Sequence, residues 1–346
     1  MKKLKMKYIL GSFIIASIFG VLSSCSNDNN TGSSGIPVVI SVSKAVAGDL
    51  TPVTLGVPKN VYIIKGSGFS TLQKIYFNDL DTYFNPTLVT DTAIFVTIDE
   101  KTPYANTSSE LKIVTKGGTV VYHFVIAPPP PTLDSYNPIN VAAGDVVTIY
   151  GNYFLDPTVK FGDIPATVIS STLTEIKVTV PAGADKKYVS VTNISGTATS
   201  TEAVGTAIYD DVFYGIDGAG GWNETHDLAN TVSTEVAQGL KAIKVNIDPW
   251  SGFQIDMWAN GGHPVPAGAT GIRFQMKLKA DAKVRIIVGG DWGHQVWFNI
   301  TTKYDTYVVK WSDLGFSAAP ATIGQLVFGS DGTKTIFYID DLGFKL

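Results

Sequence analysis

The sequence predicts an all-β protein: two small tandem β-sandwiches followed by a larger jelly-roll sandwich. Three observations predict it. Runs of Val, Ile, Thr and Tyr recur along the chain, split by Gly, Asn, Asp and Pro turns, and no long stretch past the N-terminal segment has helical periodicity. Four short motifs repeat in the same order at a spacing of about 80 residues, the mark of a duplicated domain. After the duplication the composition changes: all six tryptophans, both arginines and three of the four histidines lie between Tyr209 and Leu346.

The first residues read as a targeting segment. Lys2, Lys3, Lys5 and Lys7 form a basic region, and Tyr8 to Leu22 is apolar but short for a bilayer span. The segment ends in Leu22-Ser23-Ser24-Cys25, which resembles the bacterial lipobox, whose cysteine is acylated and becomes the first mature residue. Ordinary signal-peptidase cleavage with an incidental cysteine is the alternative. Cys25 is the only cysteine, so no intramolecular disulfide forms. We expect a signal peptide over 1–24 and a disordered tether over 25–35, rich in Ser, Asn and Gly. Asn27 and Asp28 resemble the export signal of Bacteroidetes surface lipoproteins, which implies a lipid-anchored protein of the outer-membrane surface.

The repeats come next. Val61 to Phe69 (VYIIKGSGF) is echoed by Val146 to Phe154 (VVTIYGNYF), and Ile75 to Asp79 by Val159 to Asp163. Ile94 to Ile98 is echoed by Ile176 to Val180, and Leu111 to Thr115 by Val189 to Asn193. Each copy offers short alternating strands between turns, as a small sandwich requires. The strand-Gly-x-x-Phe start and the Ile/Val-x-Phe-x-Asp strand resemble IPT/TIG immunoglobulin-like domains, over residues 36–127 and 131–205. Between them Pro128 to Pro131 favours polyproline II, hence a semi-rigid spacer over 128–131. Neither copy contains a Trp, and their one histidine, His123, reads as a strand residue. These two domains read as a stalk.

The part that carries function is 209–346. The chain has a formal net charge of -4 and only two arginines, so it lacks the clustered cations that nucleic acid demands. Candidate strands are 241–247, 253–258, 271–279, 283–288, 295–301, 306–311, 325–329 and 335–344, with Asp331-Gly332 as a hairpin turn. So many short antiparallel strands suit a jelly roll. The closing Ile336 to Leu342 resembles the last strand of carbohydrate-binding-module jelly rolls.

Side chains of a strand alternate between faces. In the Gln295–Ile300 run, Val296, Phe298 and Ile300 oppose Gln295, Trp297 and Asn299. Phe253, Ile255 and Met257 likewise oppose Gln254, Asp256 and Trp258, and Ile272, Phe274, Met276 and Leu278 oppose Arg273, Gln275, Lys277 and Lys279. Three strands thus present one apolar face and one face of Trp with amide, carboxylate and guanidinium groups. A sugar ring needs that mixture: its C–H face packs on an indole while fixed polar groups meet its hydroxyls. Trp222, Trp250 and Trp292 fall in turn-like sequence and are expected to rim the groove.

Several features read more plainly. Trp311 shares parity with Tyr307 and Val309 and is assigned to the core. His263 and His294 read as loop histidines, and no His/Cys/Asp spacing resembles a zinc site. No cofactor is expected. Asp210, Asp211, Asp340 and Asp341 bracket the domain where related jelly rolls hold a structural Ca²⁺, although surface aspartates without metal are the simpler reading. Gln254 to Ala259 resembles the paired-glutamate strand of laminarinase-type hydrolases, but Gln254 and Ala259 replace both glutamates. The domain's glutamates, Glu224 and Glu235, lie outside that strand, and an Asp256/Asp291 pair is the remaining catalytic arrangement.

A lipid anchor, a two-domain spacer and a Trp-rich jelly roll together resemble the surface glycan-binding proteins of Bacteroidetes polysaccharide-utilisation systems. The resemblance implies a non-catalytic protein that captures a polysaccharide and passes it to an outer-membrane importer. Neutral polar partners for the indoles favour an uncharged ligand, a β-glucan first; an anionic polymer would demand more arginine. The alternatives are an adhesive or structural surface protein with a protein ligand, and a glycoside hydrolase.

Overall fold

The computed structural model describes residues 35–290, 292–293 and 295–346. The expected signal peptide, Cys25, Asp291 and His294 lie outside the described residues. No helix among the described residues is long and apolar enough to cross a membrane. Among the described residues three short 3₁₀ turns interrupt the strands.

The first sandwich packs a sheet of Val38–Lys44, Val61–Ser67 and Ala93–Thr97 on a sheet of Leu80–Asp81, Leu72–Phe77, Glu110–Thr115 and Gly118–His123. Tyr62, Phe69, Phe77 and Phe124 fill its core. The second repeats the plan, with Thr132–Asn137, Val146–Asn152, Glu175–Thr179 and Thr167–Ser171 facing Ile164–Pro165, Thr158–Phe161, Tyr188–Asn193 and Gly196–Ala203. The repeated Gly-x-x-Phe has a packing cause. A Cβ on Gly66 would sit 1.8 Å from the Val38 carbonyl oxygen and 2.5 Å from the Phe69 ring. At Gly151 the corresponding distances are 2.0 Å to Thr132 and 2.6 Å to Phe154. Only glycine lets the partner strand and the buried phenylalanine close on the same point.

The proline spacer is fastened to the second sandwich. Asn193 Nδ2 donates to Pro129 O at 2.9 Å and Ser195 Oγ to Pro128 O at 2.5 Å. Tyr104 and Tyr153 meet edge-on across it, 6.3 Å between ring centres.

The third unit is a sandwich whose two layers share one long strand. Ala242–Asp256 runs through both, where the sequence predicts two separate strands. Its first half pairs with Thr335–Lys345, and its second half with Gln325–Ser330. The expected Asp331-Gly332 hairpin is therefore absent: the strands on either side run end to end along one neighbour. One layer continues through Gly271–Leu278 to Asp305–Lys310, and the other through Ala282–Val288 to Gln295–Ile300. Gly218–Asn230, not anticipated, pairs along the far edge of Ala242–Asp256. One core, including Phe253, Phe274, Phe328 and Phe337, lies between the layers. Trp311 belongs to this core as expected, 5% exposed, with Nε1 donating to Ala269 O at 2.7 Å.

The strand Ala207–Asp210 pairs with Thr335–Lys345 while its end grips the second sandwich. Asp210 accepts from the Ile139 N–H and from Asn137 Nδ2, and Asn140 exchanges two hydrogen bonds with Ala207. The aspartates here correct the surface reading. Asp210 is 2% exposed, and Asp340 and Asp341 are fully buried. Among the described residues no cluster of His, Cys, Asp or Glu is arranged to hold a metal ion.

Candidate functional site

The register of the Gln325–Ser330 layer sets the site. Reading across the strands, Trp222, Gly252, Gly329, Arg285 and Trp297 stand in one row. All project from the face opposite the core, because Phe253, Phe328, Ile286, Val296 and Phe298 alternate with them and pack inward. The next row holds Gly220, Gln254, Val327, Ile287 and Gln295, with buried Ile287 and Val327 as an apolar floor. A third contains Asp256 and Gln325, joined by Gln325 Nε2 donating to Asp256 Oδ1 at 2.7 Å.

Each exposed indole is backed on one side. A Cβ on Gly252 would lie 2.4 Å from Trp222, one on Gly332 2.8 Å from Trp250, and one on Gly324 2.1 Å from Trp258. These three rings lie flat on glycine backbone. Trp292 and Trp297 are backed by the Arg285 guanidinium, 4.5 and 5.4 Å from their ring centres. Trp222 and Trp292 meet at 6.2 Å, and Trp222 Nε1 donates to Trp250 O at 3.3 Å. The opposite side stays open: Trp250, Trp258, Trp292 and Trp297 are 67, 54, 50 and 41% exposed. Burial draws the Arg285 pKa down from the ordinary guanidinium range, and its Nε is enclosed without a hydrogen-bond partner.

The layer thus brings together Trp222, Trp292, Trp297, Gln254, Asp256, Gln295 and Asn299, with Trp250 and Trp258 at the two ends of the same stretch of strand. Trp222 lies within the Gly218–Asn230 strand rather than a turn, and Trp250 occupies a kink of Ala242–Asp256 at φ 58. Trp292 does lie in a turn.

Arg273 and Gln275 are not part of it. Their strand belongs to the other layer, where Arg273 is 1% exposed with Nη1 2.5 Å from Asp341 Oδ1 and 4.0 Å from Glu202 Oε1. Gln275, half-buried, points its amide at Asp341. The outward side of that strand is covered because it faces the second sandwich through Glu202. His263, read as a free loop residue, stacks on Phe344 at 5.6 Å and bonds Gly215 O.

Sequence reasoning missed Arg285 and Gln325. The signal was present: Val284, Ile286 and Val288 alternate with Arg285 in the same way that placed Trp297. The backing glycines gave no comparable signal, since contact between an indole and a distant glycine follows only from register.

A model of the IPT/TIG domain family matches residues 131–205. An IPT/TIG domain-containing protein of Bacteroides ovatus is 26% identical over 156 residues, 43% of this chain, and the match spans 31% of that relative's length. Among solved structures, the surface glycan-binding protein PbSGBP-B of Prevotella bryantii superposes over 90% of this chain and 99% of its own, at 17% identity and a TM-score of 0.51. An SGBP-B from a complex xyloglucan utilization locus in Bacteroides uniformis covers the same shares at 14% identity and a TM-score of 0.37. Residues 131–205 thus match the IPT/TIG domain family, and the fold as a whole is similar to that of PbSGBP-B.

Proposed function

We propose that this protein binds a neutral polysaccharide, a β-glucan first, without chemistry, on the indole-lined face of residues 209–346. The observation that carries the reading is the set of four exposed tryptophans, Trp250, Trp258, Trp292 and Trp297, each backed on one side, with half-buried Trp222 packed beside them. Such a ring accepts the C–H face of a pyranose without reorganising, so little entropy is lost on binding. Gln254, Gln295, Asn299 and the mutually bonded Asp256–Gln325 pair share this face with the rings and offer hydrogen-bonding groups for hydroxyls. Arg285 is committed to two indoles, which favours an uncharged ligand over an anionic one.

The non-catalytic reading rests on the carboxylates. Asp256 is held by Gln325, Glu224 by His226 at 3.0 Å, and Glu235 by Lys244 and Tyr338. Two opposed carboxyls flanking one bond are what hydrolysis requires. In this reading the two sandwiches of 36–127 and 131–205 hold the face away from the membrane, a lipid on Cys25 anchors the chain at the outer surface, and the glycan passes to an outer-membrane importer. Calorimetric titration with β-glucans, with a reducing-end assay on the same samples, tests the core claim. Binding without release of reducing ends is expected; absence of binding to any glucan, or turnover, would sink it.

A further inference from the structure

We propose that the second sandwich and residues 209–346 fold as one cooperative body, welded through the buried Arg273 side chain and separate from the first sandwich. The second sandwich is then a structural part of the indole-bearing unit and not a passive spacer. The connection has no slack. Gly196–Ala203 is the last strand of the second sandwich and Ala207–Asp210 already pairs with Thr335–Lys345, which leaves three residues between them. Each of the three is tied: Val204 N–H donates to Lys187 O at 3.0 Å, Gly205 N–H to Ile139 O at 2.9 Å and Thr206 Oγ1 to Ala203 O at 2.7 Å. Along the short strand Ala207 packs in the second core, while Ile208 and Tyr209 pack in the third. Glycine at 343 lets the last strand close on this crossing, since a Cβ there would lie 2.4 Å from Thr206 O.

Charge makes the joint specific. Arg273 is 1% exposed, and its Nη1 donates to Asp341 O at 2.7 Å besides its contacts to the Asp341 and Glu202 carboxylates. Glu202 comes from the second sandwich and is 3% exposed. Neither charge reaches water while the bodies are joined, and removing one partner would leave the other buried and uncompensated. On the flank, Lys345 Nζ donates to Thr201 O at 3.0 Å and lies over the Tyr188 ring at 5.2 Å. The first sandwich is joined differently. Among the described residues no hydrogen bond or ion pair links 36–127 to 131–205, and Tyr104 and Tyr153 meet beside an open cleft of about 760 Å³ that Pro129 and Ile194 also line. A contact of that kind leaves two domains independent. The indoles stand on the layer away from Arg273, so the weld governs how firmly the face is held and not which groups it presents.

All six tryptophans lie in 209–346, so tryptophan fluorescence of the full chain reports the melting of that unit alone. The test opens a cavity in each of the other two cores, with Val178→Ala in the second and Ile113→Ala in the first. Val178→Ala should lower the fluorescence-detected melting temperature by roughly 5 °C or more, because the whole body melts together. Ile113→Ala should leave it unchanged. Glu202→Gln, which keeps the size of the side chain and removes its charge, should lower it as well, although the substitution lies outside the tryptophan-bearing unit. Circular dichroism at the start of each melt establishes that the variants are folded. A tryptophan melt unmoved by Val178→Ala, or moved as far by Ile113→Ala, overturns the single body. A melt unmoved by Glu202→Gln overturns the weld through Arg273. All three readouts are independent of what the face binds.

Discussion

The Arg285 guanidinium lies 4.5 Å from the centre of the Trp292 ring and serves Trp297 as well, at 5.4 Å. One cation therefore fixes two rings that come from a turn and from a neighbouring strand. Its neighbour in the row, Gly329, leaves room for it, since a Cβ there would lie 3.3 Å from Arg285 Nε.

Arg285→Ala should unseat both rings. Cation–π contacts of this kind are worth ~1 kcal/mol each, so glucan affinity should fall about tenfold or more. Because the arginine backs the indoles instead of meeting the ligand, wild-type binding should change little between low and high salt. Titrations at two ionic strengths check this, and a steep salt dependence would show Arg285 reading an anionic ligand directly.

Much of this was legible in sequence, and the failures have a common form. Period-two alternation placed Trp297, Gln295, Asn299, Gln254 and Asp256 on the outward face, because one buried face fixes the other. The same alternation put Arg273 outward, and there it misled: alternation reports which side of a sheet a residue leaves, not what covers that side. Glu202 and the second sandwich cover it. Likewise Asp210, Asp340 and Asp341 read as surface residues because the groups that meet their buried carboxylates, the Ile139, Ala237 and Gln238 N–H groups and the Arg273 guanidinium, are distant in sequence. The Gly218–Asn230 strand was hidden by its glycines, which leave no hydrophobic alternation in its first half.

Trp297→Ala separates a platform from a core residue. The ring is 41% exposed, so the melting temperature should move little, whereas loss of a central aromatic contact should cost roughly 2 kcal/mol of binding, some 30-fold. A buried tryptophan would instead lose about 3–5 kcal/mol of stability. Calorimetry and a thermal melt on one preparation give both quantities. Unchanged affinity with a collapsed melt would remove Trp297 from the binding face.

Glucan binding should survive removal of the two sandwiches if the cut respects the junction strand. Ala207–Asp210 pairs with Thr335–Lys345, so a fragment should begin at Thr206 rather than after that strand. Residues 206–346 should keep the affinity of the whole chain for short oligosaccharides, and residues 36–205, which contain no tryptophan, should bind none. Binding by the second fragment alone would reverse the assignment.

Cys25→Ala should abolish acylation and release the protein from the outer-membrane fraction, since the acyl acceptor is gone and stable attachment needs the lipid chains. Fractionation and palmitate labelling read the outcome. A variant that still labels and still sediments with membrane would refute the anchor.

Stability should fall as pH rises through the neutral range, the reverse of a protein held by surface carboxylate pairs. Burial pushes Asp210 up from 3.8 to about 6 and Asp340 up to about 7, against the hydrogen bonds that favour their charged forms. Asp340 accepts from Ala237, Gln238 and Asp341 N–H groups, at 2.9, 3.1 and 2.8 Å, and nearby Asp211 adds repulsion. A group whose folded pKa lies above its unfolded value binds its proton more tightly when folded. Its contribution is complete below pH 3.8 and is lost as pH climbs through 6 for Asp210 and 7 for Asp340. At about 1.4 kcal/mol per pKa unit the two shifts together make this a loss of order several kcal/mol. Denaturant melts between pH 4.5 and 8 should show the decline, and Asp340→Asn should flatten its upper half. Asparagine turns an N–H₂ toward one set of the backbone donors, so the variant starts less stable; the slope against pH, not the absolute stability, is the readout. A slope unchanged in Asp340→Asn would mean that Asp340 is ionised throughout this range, its three N–H donors outweighing its burial.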